Sequence, residues 1–171
     1  MQNENELFKI VKNAFDSFLN RHSALLDVNA SERSMTHKLA EALQEVFPKR
    51  NVDCEYNRHR DLPKTIRACQ DKSVRAGDLD ATTVYPDIVV HTRGSDENNL
   101  LVIEVKKSSA CRGSDWDTKK LKEFTDGEFH YQVGLFVEID VEGQTVSKVK
   151  CYKDGEEIEG TIWHTLGFKG G

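Results

Sequence analysis

The chain has 171 residues, the length of one domain with a real core, and its 37% hydrophobic and 31% charged residues are those of a globular protein with more charge than average. It holds no apolar run long enough to cross a membrane, and its first residues, MQNENELFKI, lack a basic start followed by an apolar core, so a cytoplasmic location is expected. The net charge of −5, from 24 basic and 29 acidic residues, argues against loose, non-specific nucleic-acid binding but leaves room for a local basic footprint.

The first predicted element is a helix over about 4–21, where Leu7, Ile10, Val11, Ala14, Phe15 and Phe18 make one apolar stripe. That stripe packs either on the core or against a second copy of itself. A second helix runs from about Ser31 to Phe47, with Asn29 and Ser31 as capping candidates, Leu39, Ala42, Leu43, Val46 and Phe47 on its buried side, and Pro48 ending it. Glu32 lies in its first turn, where the helix dipole favours a carboxylate. His37 and Glu41, four apart, share a face and can bond to each other or frame a site.

Val52 to Arg58 alternates as a strand, with Val52, Cys54 and Tyr56 on one side and Asp53, Glu55 and Asn57 on the other. Leu62 to Cys69 reads as a short helix, and Ser73 to Thr83 as a long polar connection, the kind that is often functional. Lys49, Arg50, Arg58, Arg60, Lys64, Arg67, Lys72 and Arg75 gather in this part of the chain, as a solvated face or as one wall of a cleft. Cys54, Cys69, Cys111 and Cys151 are far apart with no C-x-x-C pair, and are expected to be reduced and partly buried. His22, His59, His91, His130 and His164 share no zinc-ligand spacing.

The chain is organised around YPDIVVHTRGSDENNLLVIEVKKS, residues 85–108. Ile88 to Val90 and Leu100 to Ile103 are apolar runs of buried strands, and the polar residues between them, with Gly94, are turn chemistry. Paired as a hairpin, the start of the first strand lies opposite the end of the second. Asp87 then converges on Glu104 and Lys106, which share a face; Lys107 points the other way. Two carboxylates and an ammonium beside apolar strands cost desolvation energy unless a metal and a substrate use them. A helix follows from about Trp116 to Thr125, capped by Ser114 or Asp115, with Trp116, Leu121 and Phe124 as its apolar contacts. Tyr131 to Ile139 is a covered strand, Gln144 to Tyr152 and Glu156 to Leu166 form an edge meander, and 168–171 is a frayed tail.

This order describes an α/β domain with a mixed central β-sheet flanked by helices. Pro86-Asp87, followed seventeen positions on by Glu104-Val105-Lys106, resembles the PD-(D/E)xK signature of the restriction-endonuclease-like nuclease superfamily. The resemblance implies that superfamily's αβββαβ core over 31–139 of a single domain spanning 1–171, with a helical addition at 1–28 and a β addition at 144–166. It also implies a further glutamate ligand from the first core helix. Glu32 matches that position best, Glu41 is its rival, and His37 would lie nearby as an outer or substrate-contacting residue. Gln132 matches a polar residue that the family often places near the cleft.

The expected chemistry is hydrolysis of DNA phosphodiesters by an endonuclease, with RNA left open, in DNA processing or defence. Asp87, Glu104 and the Val105 carbonyl make an all-oxygen shell suited to Mg²⁺ or Mn²⁺, which polarises the phosphate and acidifies a water. Lys106 orients or helps deprotonate that water and offsets charge on the phosphorane. A compact domain without a separate recognition module leaves structure-selective cutting, a protein partner that supplies targeting, or a homodimer. The alternative reading is an inactive nuclease-fold scaffold that binds nucleic acid or protein.

Overall fold

The structure is a computed structural model that describes residues 4–56, 85–95, 97–109 and 114–158, together with the backbone of short strands at 58–59, 62–63, 65–67 and 81–83. Helix α1 (Glu4–Arg21) presents Leu7, Phe8, Val11, Ala14, Phe15 and Phe18 to the interior. The stripe read from the sequence is therefore buried within one chain, and its residues join the same core cluster as Met35, Leu39 and Leu43. A short helix, α2 (Ser23–Asp27), follows, unheralded by any periodic pattern. Helix α3 (Glu32–Val46) starts where Ser31 Oγ accepts the Ser34 N–H at 3.2 Å, and it ends at Phe47, one residue before Pro48.

Strand β1 (Asn51–Cys54) is shorter than its alternation predicts. Glu55 adopts φ +50°, which breaks the strand and turns Tyr56 onto the Asp53 side, where its ring meets His91 edge-on at 4.4 Å. Val52 keeps to the side of α1 and α3. Leu62 to Cys69, expected as a helix, instead contains strands: β2 (Arg58–His59) pairs with β3 (Leu62–Pro63), and β4 (Thr65–Arg67) pairs with β5 (Ala81–Thr83). Pro63 and the β-branched Thr65-Ile66 suit extended backbone better than a helix. The side chains of Arg58, Arg60, Lys64, Arg67, Lys72 and Arg75 lie outside the described residues, as do Cys69, Cys111 and the segment 159–171, into which the last predicted strand extends.

Next come β6 (Ile88–His91), β7 (Leu101–Lys107), helix α4 (Ser114–Asp126), β8 (Val133–Asp140), β9 (Thr145–Lys153) and β10 (Glu156–Ile158). The main sheet has the order β1-β6-β7-β8-β9-β10. Its neighbours are antiparallel except β7 and β8, which run parallel because α4 carries the chain from the end of one to the start of the other. Asp154 and Gly155, at φ +49° and +77°, make the tight turn from β9 to β10.

The chain is thus a mixed α/β fold, a six-stranded mixed sheet with helices on both faces. Under α1 and α3 lie Ile88, Val90, Leu101, Ile103, Val105, Leu135 and Val137. Against α4 lie Val89, Val102, Phe136 and Tyr152, packed on Leu121 and Phe124. Each such side chain contributes about 1.5–3 kcal/mol by leaving water. A Cβ at Gly134 would stand 3.2 Å from the Thr125 methyl and 3.3 Å from Leu121, so the bare backbone there lets α4 lie close on β8. Trp116, expected to pack under α4, is instead 39% exposed on its first turn. Among the described residues no helix is long and apolar enough to cross a membrane.

Candidate active site

Residues 87, 89 and 91 of β6 and its entry, and 102, 104 and 106 of β7, point to the α4 face. The register that pairs Ile88 with Ile103 brings Asp87 level with Glu104. Where that ladder stops, the Asp87 Oδ2 accepts the Val105 N–H at 2.7 Å, which fixes the carboxylate at the sheet edge. Its other oxygen makes no hydrogen bond among the described residues.

Glu104 is fully buried. Its Oε2 accepts a 2.7 Å hydrogen bond from Lys120 Nζ of α4, and its Oε1 is buried without a partner. Lys120 also lies 3.0 Å from Asp117 Oδ1, one turn back on the helix, and Asp117 Oδ2 lies 3.4 Å from Lys106 Nζ. Lys106 in turn stands 3.8 Å from Glu32 Oε2. A line of alternating charge, Glu104–Lys120–Asp117–Lys106–Glu32, thereby runs from under the sheet to the start of α3.

Glu32 is held there by its other oxygen, which accepts the Lys107 N–H at 3.0 Å. Lys107 faces away from the site, as its place on the strand predicts, and its ammonium binds the Asn29 carbonyl at 3.1 Å and the Asn29 side chain at 2.7 Å. These bonds lock the α2–α3 junction to the end of β7. Glu41, nine residues beyond Glu32, sits about 13.5 Å further along the helix. It is exposed, bonded to Lys38 and 3.2 Å from His37.

Beside Glu32 and Asp87 a cleft of about 810 Å³ opens between α3 and the edge of β1, lined also by Arg33, His37, Lys38, Cys54 and Glu55. Of the two helix residues expected near the site, His37 is therefore on the cleft wall and Glu41 is not among its lining residues. Gln132 is elsewhere. Its N–H bonds the Asn99 carbonyl at the start of β8, and because β8 runs parallel to β7, that is the end of the sheet remote from Lys106.

The electrostatics follow from burial. It pushes the Asp87 carboxyl up, against the Val105 N–H and the two lysines. It pushes Glu104 well above the usual carboxylate range, Asp87's charge adding to the effect and Lys120 only partly offsetting it. Burial would lower the Lys106 ammonium, but Asp117, Glu32 and Asp87 more than reverse this, so Lys106 holds its proton tightly. Lys120 is raised in the same way by Glu104 and Asp117. Burial and the charges of Glu55, Asp53 and Asp87 raise the Cys54 thiol to about 11, so it is a neutral thiol in the cleft and not a nucleophile.

Two carboxylates raised by burial, the charge of Asp87 adding to the shift of Glu104, with an orphaned buried Glu104 oxygen between the sheet and α4, are a site short of positive charge. Their hard oxygen donors fit a divalent cation of the Mg²⁺ class, which keeps much of its water shell. The fit is that of a two-carboxylate site: among the described residues no three His, Cys, Asp or Glu side chains gather as a ready-made metal shell.

Asp117 and Lys120 are absent from the residues singled out in the sequence. Their signal was present: Asp117, Lys120, Leu121 and Phe124 fall on one helical stripe, two charges on the face that α4 buries. No family model, no curated protein and no solved structure matches the chain.

Proposed function

We propose that this protein is a metal-dependent nuclease that hydrolyses phosphodiester bonds in DNA, on a core resembling the restriction-endonuclease-like fold. The observation that carries the reading is the meeting of Asp87, Glu104 and Lys106 at one end of the β6–β7 hairpin, with Glu32 brought to Lys106 from α3. Asp87 and Glu104 would hold Mg²⁺ or Mn²⁺, with the Val105 carbonyl and Glu32 as neighbouring oxygen donors. A cation bound there supplies charge against the phosphate oxygens and lowers the pKa of water.

The chain's own residues do the rest. Lys106, kept charged by three carboxylates, offers hydrogen bonds and positive charge to the attacking water and to the phosphate as negative charge builds on it. It is a poor proton acceptor, so its part is electrostatic. Asp117 draws the Lys106 ammonium toward α4 as an ion pair, and Lys120 holds the Glu104 carboxylate through a hydrogen bond. The Val105 N–H does the same for Asp87.

A second reading, binding without cleavage, has one observation in its favour: Lys120 already supplies a cation to Glu104. The two readings separate in a cleavage assay on linear, supercoiled, single-stranded and branched DNA and on RNA, with Mg²⁺ or Mn²⁺. Metal-dependent cleavage by the wild type that is lost in Lys106→Ala is expected. Binding without cleavage of any substrate would give the second reading its place.

A further inference from the structure

Among the described residues the large apolar side chains left exposed are Val28, Tyr85 and Trp116. Single exposed apolar residues are ordinary. Here, however, both aromatic ones sit on segments that carry candidate site residues. Tyr85, 52% exposed, stands two residues ahead of Asp87, and Trp116, 39% exposed, immediately precedes Asp117, whose carboxylate lies 3.4 Å from the Lys106 ammonium. One ring is carried by the loop that leads through Asp87 into β6 and the other by the first turn of α4, beside Asp117.

We infer that Tyr85 and Trp116 are stacking platforms for unpaired bases beside the scissile phosphate, and that the substrate is therefore single-stranded or locally unpaired DNA. The inference rests on the nuclease reading for the phosphate and adds the substrate class. In a duplex each base face is covered by its neighbours, so a side chain next to the phosphate reaches a base face only where the strand is unstacked. The chain's net charge of −5 leads the same way. Duplex binding without sequence readout depends on positive charge, whereas stacking gives affinity that survives in an acidic protein.

The chain's two tryptophans are Trp116 and Trp163, so a Trp163→Phe background makes Trp116 the sole emitter. Its fluorescence is titrated with a ten-nucleotide thymidine strand and with a blunt duplex of the same length, in Ca²⁺ to bring phosphate to the carboxylates. Saturable quenching by the single strand and none by the duplex is expected. In a labelled-oligonucleotide assay Tyr85→Ala and Trp116→Ala should each weaken single-strand binding about 5- to 150-fold, with Tyr85→Phe close to wild type. Absence of quenching, equal binding of strand and duplex, or alanine variants that bind the single strand as wild type does would overturn the inference. Cleavage in Mg²⁺ or Mn²⁺ is read separately. Selective single-strand binding without cleavage removes the nuclease reading and leaves the platforms, while Lys106-dependent cleavage that is indifferent to both rings removes the platforms and leaves the nuclease.

Discussion

Two clusters of charged side chains lie at opposite ends of β6, and they are built on opposite principles. At the β6 C-terminus, Asp53 of β1 accepts from Arg93 through both oxygens and lies 2.9 Å from His91 Nε2. Burial would raise the Asp53 carboxyl, but Arg93 and His91 outweigh it and hold it below its usual value. At the N-terminus, Asp87 and Glu104 are both raised, and one Glu104 oxygen is left without a partner. The first cluster has a guanidinium for its carboxylate and serves as a fastener. The second has carboxylates in excess, which a fold keeps at a cost, and under the proposed function that surplus is what a divalent cation would relieve.

The comparison breaks first at Asp87. Asp87→Ala should lower metal-dependent cleavage by about 10²–10³-fold or more, the scale of losing one transition-state-stabilising group, while the melting temperature holds or rises because a desolvated carboxylate is gone. Parallel cleavage assays and thermal melts on the same preparation test both halves. Full activity in this variant would sink the site assignment.

Lys120→Met is next, and it exchanges the roles of the clusters. It leaves Glu104 and Asp117 buried without their shared cation, and removal of one partner of a buried pair typically costs about 3–5 kcal/mol. Chemical denaturation should show that loss. A companion variant, Lys120→Met with Glu104→Gln, should recover most of it; if it does not, the ammonium is held by something other than these carboxylates.

These two residues also show where the sequence was legible. Long periodic segments gave α1, α3, β6, β7 and β8 to within a few residues, because their apolar spacing and the Ser31 cap are local signals. Asp87, Glu104 and Lys106 could be grouped because a hairpin fixes which residues oppose each other. Asp117 and Lys120 show in the sequence only as two charges on the apolar stripe of α4; which strand residues they meet depends on how the helix lies over the sheet, which no local pattern states. The same limit explains Trp116, which belongs to the helix but not to its buried stripe. Tyr56 was placed on the wrong face because the positive φ of Glu55 resets the alternation, and Glu carries no sign of that conformation. Gln132 was assigned by resemblance to a cleft that the parallel β7–β8 register puts at the other end of the sheet.

A smaller effect is expected at the fastener. Asp53→Asn keeps the shape but removes the charge that Arg93 and His91 share, a loss of about 1.5–3 kcal/mol for hydrogen bonds to a charged group. Cleavage should be unchanged. The lowered carboxyl gives the sign of its pH dependence: its contribution is present above the unfolded value of 3.8 and disappears as pH falls through the folded value. Asp53→Asn should therefore flatten the acid limb of the stability curve, and a limb identical to wild type would show that Asp53 is not what acid removes.

The effect at Glu104 has the opposite sign. Because Glu104 is raised, the folded state binds its proton more tightly than the unfolded chain does. Its contribution to stability is complete below the unfolded value of 4.5 and is lost as pH rises through the folded value. Glu104→Gln keeps a neutral side chain at every pH, so the variant should follow wild type near pH 4.5 and gain on it as wild-type Glu104 is driven to ionise. A divalent cation reverses the sign for the wild type alone: holding the ionised carboxylate, it releases a proton and raises the wild-type melting temperature above neutral pH, and leaves Glu104→Gln where it was. Stability curves measured with and without Mg²⁺ on these two proteins give the test, and a cation that stabilises both equally binds somewhere other than Glu104.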